Sequence, residues 1–256
     1  MSESPLKTWL EQDGVLLRLR LARPKANVLD AAMIAAIAGA FGQYRLPGRI
    51  RAALVDHEGP HFSFGASVEE HLPAQCAAML KSLHALLVAM LEWPRPILFA
   101  ARGQCLGGGL EFVLAGSRLY VAPEAQLGQP EMKLGVFAPA ASALLPFRVT
   151  QPVAEDLLVS GRSVGAEEAL SVGLAHAVAE DPSAAAVDYF ERQLAPKSAT
   201  SIGFALRAAR EGMLAEAKRR LAAVEKLYLE DLMKTHDALE GLAAFLEKRP
   251  ARWHDA

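Results

Sequence analysis

The stretch from Ile97 to Ser117, ILFAARGQCLGGGLEFVLAGS, restricts the possible folds more than any other part of the chain. It opens as an apolar, strand-like run and breaks at Gly103. It breaks again at Gly107-Gly108-Gly109, then turns apolar once more around a single charge, Glu111. Consecutive glycines cost chain entropy and permit dihedrals that other residues resist. A fold that sets them between two apolar segments needs close backbone approach or free N–H groups there. An acid flanked by Leu110 and Phe112 is of the kind whose pKa burial raises. The stretch alone leaves a plainer reading open, a tight turn capping a core helix with Glu111 in solvent.

The chain has 256 residues, 52% of them hydrophobic, enough for a large core and one domain with an appendage. A formal charge of −2, with acids and bases interspersed, argues against a wholesale nucleic-acid binder. Cys76 and Cys105 have no metal or redox spacing, and free buried thiols are expected. The opening SESPLKTWLEQDG is polar and unlike a signal peptide, and no apolar run reaches membrane-spanning length uninterrupted. The expectation is a soluble cytoplasmic protein with no membrane partner.

Taken in order, Val15–Leu21 alternates as a half-exposed strand with Arg18 and Arg20 on one side. Asp30 caps a helix through AAMIAAIAGAFGQY, and Pro47-Gly48 punctuates. Ile50–Val55 reads as a strand and Leu80–Leu91 as an amphipathic helix stopped at Trp93-Pro94. The central stretch gives strand, glycine turn and helix. Short strands are expected at Leu119–Val121, Ala125–Leu127 and Leu174–Val178, with helices at Ala140–Phe147, Gln151–Ser160 and Ala166–Leu170. This alternation predicts a layered α/β fold. Beyond Pro182 the chain is almost entirely helix-forming, with Gly203 and Gly212 weakening its long middle stretch. Its apolar residues, Tyr228 among them, suit packing on the main body or on another subunit.

Glu111 and Glu131 each follow turn residues in apolar surroundings. Two carboxyl groups at one substrate can divide the work of base and acid; a surface position for each stays open. The glycine-bearing loops around Ala66 and Gly108 can supply two N–H donors to one oxyanion. Dinucleotide, phosphate-loop and nucleophile-elbow patterns are missing from the sequence, and the histidines form no metal motif. His71, close behind the Ala66 loop, is the histidine best placed to line a pocket.

The ordered motifs identify a resemblance to the enoyl-CoA hydratase/isomerase (crotonase) superfamily over nearly the whole chain. They are Arg23-Pro24-Lys25-Ala26-Asn27-Val28-Leu29, Phe62-Ser63-Phe64-Gly65-Ala66-Ser67, Ala101-Arg102-Gly103 through Leu106-Gly107-Gly108-Gly109-Leu110-Glu111, Gly128-Gln129-Pro130-Glu131 and Phe245-Leu246-Glu247-Lys248-Arg249-Pro250. The resemblance implies a crotonase-like α/β spiral of ββα units over residues 1–190. Residues 191–256 would form a C-terminal helical region for trimerisation and active-site closure. It also implies an acyl-CoA thioester substrate, with coenzyme A part of the substrate and no separate cofactor or metal. Ala66 and Gly108 become the oxyanion hole, Glu111 the water-activating base and Glu131 the proton donor. Arg23, Lys25, Ala26 and Lys248 become coenzyme A contacts. A homotrimer, or a hexamer as a dimer of trimers, is the implied assembly.

The sequence departs from common hydratases at Ser67, at Phe64 and over Val136–Ala143, where a glycine-rich helix entry is replaced by bulkier residues. Phe64, His71 and Phe137 are the candidate acyl-pocket residues, and the two phenylalanines suit either a flat pocket for a ring or simple core. The run Phe64–Pro73 narrows the resemblance to members that hydrate a cyclic dienoyl thioester in anaerobic aromatic degradation. A general enoyl-CoA hydratase or isomerase is the alternative within the family. An RNA-binding or scaffold member is the alternative outside catalysis; the presence of both acids and the lack of a basic, aromatic-interleaved stretch speak against it.

Overall fold

The computed structural model describes residues 4–45 and 48–255. Pro47, expected to punctuate after the first helix, lies outside them. The strands are β1 (Leu6–Glu11), β2 (Leu16–Leu21), β3 (Ala52–His57), β4 (Ile97–Ala101), β5 (Gln104–Leu106), β6 (Arg118–Val121), β7 (Gln126–Gly128), β8 (Ser163–Gly165) and β9 (Ala177–Val178). The helices are α1 (Ala31–Gln43), α2 (Cys76–Leu91), α3 (Gly108–Leu114), α4 (Pro139–Leu144), α5 (Gln151–Ser160), α6 (Ala166–Ser171), α7 (Pro182–Tyr189), α8 (Ala199–Lys226) and α9 (His236–Leu246).

One sheet runs in the order β1-β2-β3-β4-β6-β9, antiparallel between β1 and β2 and parallel elsewhere. A small second sheet, β5-β7-β8, carries the junctions nearest the carboxylates. Successive strand side chains point to opposite faces, and the apolar runs of the large sheet are divided accordingly. Leu17, Leu19, Ala53, Val55, Ile97, Phe99 and Leu119 enter the main core. Leu16, Leu54, Leu98, Ala100 and Tyr120 pack against Ala186 of α7 and Phe190 just beyond it. A parallel sheet covered on both faces reads as continuous hydrophobic runs, as ILFAA does.

Three expectations change. The polar N-terminal segment contains β1, which gives β2 a neighbour on each side. β2 is buried on both faces rather than half-exposed, by the main core on one side and the α7 layer on the other: Arg18 is only 5% exposed and lies on the α7 face. The long helix also runs unbroken through Gly203 and Gly212. At Gly203 it presses on Arg95 and the Pro94 carbonyl, where a Cβ would lie 2.5 Å from Arg95 Nη1. Asp30 caps α1 as expected, accepting from the Met33 N–H at 2.8 Å. No helix of the described residues is long and apolar enough to cross a membrane.

Candidate active site

The glycine triplet joins β5 to α3, and its first two positions have separate steric reasons to be glycine. Gly107 adopts φ 51°, ψ −129°, a conformation that L side chains resist. A Cβ there would also lie 2.7 Å from Glu131 Oε1. Gly108 presses on the first loop, and a Cβ would lie 2.8 Å from the Ala66 nitrogen. The backbones of Ala66 and Gly108 are thus in direct contact across two loops. Gly108 opens α3, so its N–H has no partner within the helix. Among the described residues neither this N–H nor that of Ala66 meets a backbone carbonyl.

The first loop is held in place by the turn that precedes α1. Phe64 N–H donates to the Ala26 carbonyl at 2.9 Å, and Leu29 N–H to the Gly65 carbonyl at 2.9 Å. Ser63 Oγ donates to the Asn27 carbonyl at 2.8 Å and accepts from the Gly65 N–H at 3.0 Å. Fully buried Asn27 closes the weld: its amide nitrogen donates to the carbonyls of Glu58 and His61, each at 3.0 Å. On the other side, Ser63 N–H donates to the Gln104 carbonyl and Leu106 N–H to the Ser63 carbonyl, both at 3.0 Å. The two N–H-bearing loops are therefore parts of one hydrogen-bonded unit.

Glu111 lies in the first turn of α3 and is 4% exposed, which excludes the solvent-facing reading. Its Oε1 accepts from the Ala141 N–H at 2.9 Å. That donor comes from α4, the segment whose sequence departs from common hydratases, so the bulkier alanines still serve the acid. Glu131 sits on the short 3-10 turn Pro130–Leu134 after β7. It keeps a partly exposed edge, yet protein surrounds its carboxyl. Buried Gln129, with its amide nitrogen turned to donate, lies 3.1 Å from both Glu131 oxygens. Burial raises the pKa of both acids, and the charge of Glu111 raises that of Glu131 further. Among the described residues no cation acts on either carboxyl. Such a pair titrates as a unit, and the first proton is held into the neutral range.

A cleft of about 740 Å³ opens beside this unit, with Phe64, Ala66 and Val68 on one side, Lys133 and Leu134 on another, and Phe245 and Arg249 closing it. Ala66, Val68 and Leu134 also border an apolar cluster built on Cys76, Met79, Leu80, Val136, Tyr228 and Leu242. The α9 helix seats against the turn bearing Glu131: at Gly241 a Cβ would lie 2.1 Å from the Leu134 carbonyl oxygen.

The sequence-derived candidates separate against this geometry. Glu111, Glu131, Ala66 and Gly108 converge. Phe64 lies on the cleft wall, 46% exposed. Phe137 packs in the apolar cluster beyond Ala66, edge-on to Tyr228 with ring centroids 5.3 Å apart. His71 stands behind the loop rather than on the cleft wall. Its Nδ1–H donates to the Ser67 carbonyl at 2.7 Å, and burial lowers its pKa, so the ring is neutral at pH 7. Ala26 supports the loop through its carbonyl. Arg23 is paired with Asp30, and Lys25 and Lys248 are exposed outside the cleft wall. Sequence reasoning missed Gln129 as a partner of Glu131, the Ala141 N–H, and Tyr228 as a neighbour of the acids. Only Gln129 left a sequence signal, its place within the Gly128–Glu131 motif.

The chain belongs to the enoyl-CoA hydratase/isomerase family, whose model matches residues 11–256. Within it the chain is 61% identical to the cyclohexa-1,5-dienecarbonyl-CoA hydratase of Thauera aromatica, covering 100% of both chains. It is 29% identical to the carnitinyl-CoA dehydratase of Salmonella arizonae, covering 95% of this chain and 97% of the other. Among solved structures, an enoyl-CoA hydratase/isomerase from Pseudoalteromonas atlantica superposes with TM-score 0.84 at 28% identity, covering 97% of this chain and 99% of that one.

Proposed function

We propose that this chain is a hydro-lyase that adds water to cyclohexa-1,5-diene-1-carbonyl-CoA, giving 6-hydroxycyclohex-1-ene-1-carbonyl-CoA in anaerobic aromatic degradation. The observation that carries the substrate is 61% identity, end to end, with a hydratase of that thioester. The reaction type is supported by two acids with buried carboxyls and, among the described residues, no cation beside them and no carbonyl partner for the two N–H groups of the contacting loops.

The product fixes where the atoms go. Its hydroxyl sits on the ring carbon β to the thioester carbonyl, and its remaining double bond is conjugated with that carbonyl. Water oxygen therefore bonds to the β carbon while its proton passes to Glu111. The displaced π electrons move to the thioester oxygen as a dienolate, and the Ala66 and Gly108 N–H groups receive that charge. Glu131 then delivers its proton to the far end of the dienolate, on the ring carbon opposite the site of attack. The carbonyl re-forms with the surviving double bond beside it. A proton returns from Glu111 to Glu131 to reset the pair. The electrostatics support this division: the charge of Glu111 favours the protonated form of Glu131.

On this reading Phe64 and Phe137 shape the pocket for the ring, while His71 holds the Ser67 end of the loop. Arg23, Lys25, Ala26 and Lys248 serve the coenzyme A moiety, and residues 191–256 close the site. A trimeric or hexameric assembly accords with exposed Phe204 beside a groove of about 480 Å³ between α8 and Trp93–Arg95.

The test is incubation with synthetic cyclohexa-1,5-diene-1-carbonyl-CoA, following mass. The expected result is a gain of one water, faster than with crotonyl-CoA. Efficient hydration of crotonyl-CoA with no mass gain on the dienoyl thioester would replace this assignment with a general enoyl-CoA hydratase.

A further inference from the structure

Tyr228 occupies the helical turn Leu227–Asp231, which continues α8 with wider, π-type winding. The residue is fully buried, and its hydroxyl has no hydrogen-bond partner among the described residues. A buried hydroxyl without a partner is destabilising, whereas phenylalanine would fill the same space at no such cost. π-type turns are rare inside helices and frequent at functional sites. Around Tyr228 lie Met79, Leu80, Val136, Leu242, the Cys76 thiol and the edge of Phe137. Ala66, which bears one of the two unpaired N–H groups, borders the same cluster. The negative charges of Glu131 and Glu111 both reach the phenol, and burial raises its pKa far above neutrality, so it stays a neutral donor.

We propose that the Tyr228 hydroxyl is a specificity-determining donor, hydrogen-bonding the oxygen that water delivers to the ring, both in the product and as addition proceeds. The inference rests on the proposed hydration reaction and adds to it a residue from the C-terminal helical region. The apolar cluster meets the cleft wall at Ala66, Val68 and Leu134, and the phenol is a hydroxyl donor in it without a partner among the described residues. No bond to Tyr228 forms or breaks; it orients the oxygen while Glu111 and Glu131 exchange protons.

The test is Tyr228→Phe, compared with the unaltered enzyme in initial-rate hydration of the dienoyl thioester. Two inhibitors are used: the product 6-hydroxycyclohex-1-ene-1-carbonyl-CoA, and cyclohexane-1-carbonyl-CoA, which offers a ring without the oxygen. The expected result is an inhibition constant about ten-fold higher for the hydroxylated ligand, with that for the bare ring unchanged. The variant is also expected to melt no lower than the parent, because a buried unpaired hydroxyl has been removed. Equal shifts for both ligands, no shift for either, or a clear drop in melting temperature would each overturn the proposal. Failure of the unaltered enzyme to hydrate the dienoyl thioester would instead remove the underlying reaction, and the proposal with it.

Discussion

Two clusters of buried charge lie on opposite faces of the large sheet and are built on opposite principles. On the α7 face, Asp56 accepts from Arg18 at 2.5 Å, from Arg20 at 2.7 and 2.6 Å, and from Ser183 at 3.2 Å. Arg18 also meets Glu11 at 2.7 Å. Every carboxylate there has a cation. On the other face, protein surrounds the carboxyls of Glu111 and Glu131, no cation among the described residues lies beside them, and the charge of Glu111 raises the cost of ionising Glu131. A buried charge is tolerated when paired, and otherwise it shifts its pKa. The first cluster joins strands to a helix. The second keeps a proton available at neutral pH, which a general acid needs.

This contrast can be broken by substitution. The largest effect is expected from Glu111→Gln and Glu131→Gln, each lowering the hydration rate by about 10²- to 10⁴-fold in a folded protein. Near-full rates in both variants would dismiss the two-acid mechanism. Next, Asp56→Ala removes the buried carboxylate that Arg18 and Arg20 share, leaving Arg18 only Glu11 and Ser183, and is expected to cost about 3 kcal/mol of unfolding free energy, with turnover per folded molecule retained. Chemical denaturation with active-site titration separates the two, and a variant that stays stable but loses turnover would merge the clusters into one functional unit. Gly108→Ala sharpens the comparison at the oxyanion loops. Its Cβ would displace Ala66, and a rate loss of about 10²-fold, appearing in kcat, is expected. A change confined to KM would move Gly108 from charge stabilisation to substrate binding.

Much of this was legible in the sequence because close backbone approach leaves glycines. Gly107 and Gly108 mark where a carboxyl and a second loop press on the chain, and the strand ILFAA and the Asp30 cap carry their signals locally. β1 was not legible: LKTWLE is an edge strand with most of its side chains partly or fully exposed, so its pattern is faint beside that of a polar terminus. Arg18 looked solvent-facing because alternation reports a face, not whether a helix 165 residues later covers it. Tyr228 was counted as one more apolar residue of a long helix, since sequence does not reveal an unpartnered hydroxyl. The Ala141 donor was hidden by a segment that departs from the family pattern in side chain but not in backbone role.

The most direct test of the central claim is unfolding free energy against pH for the parent, Glu111→Gln and Glu131→Gln. The folded-state pKa of each acid is raised, so the native state holds more protons than the unfolded chain. Stability is then fully present below the ordinary carboxylate value, 4.5, and is lost as pH rises through the raised values. The parent is therefore predicted to lose stability from about pH 5 to pH 8. The glutamine variants should lose less, and be at least as stable as the parent at pH 8 while inactive. Variants that are less stable than the parent at pH 8 and keep the same slope would contradict the account. They would mark the two glutamates as structural charges of the Asp56 kind.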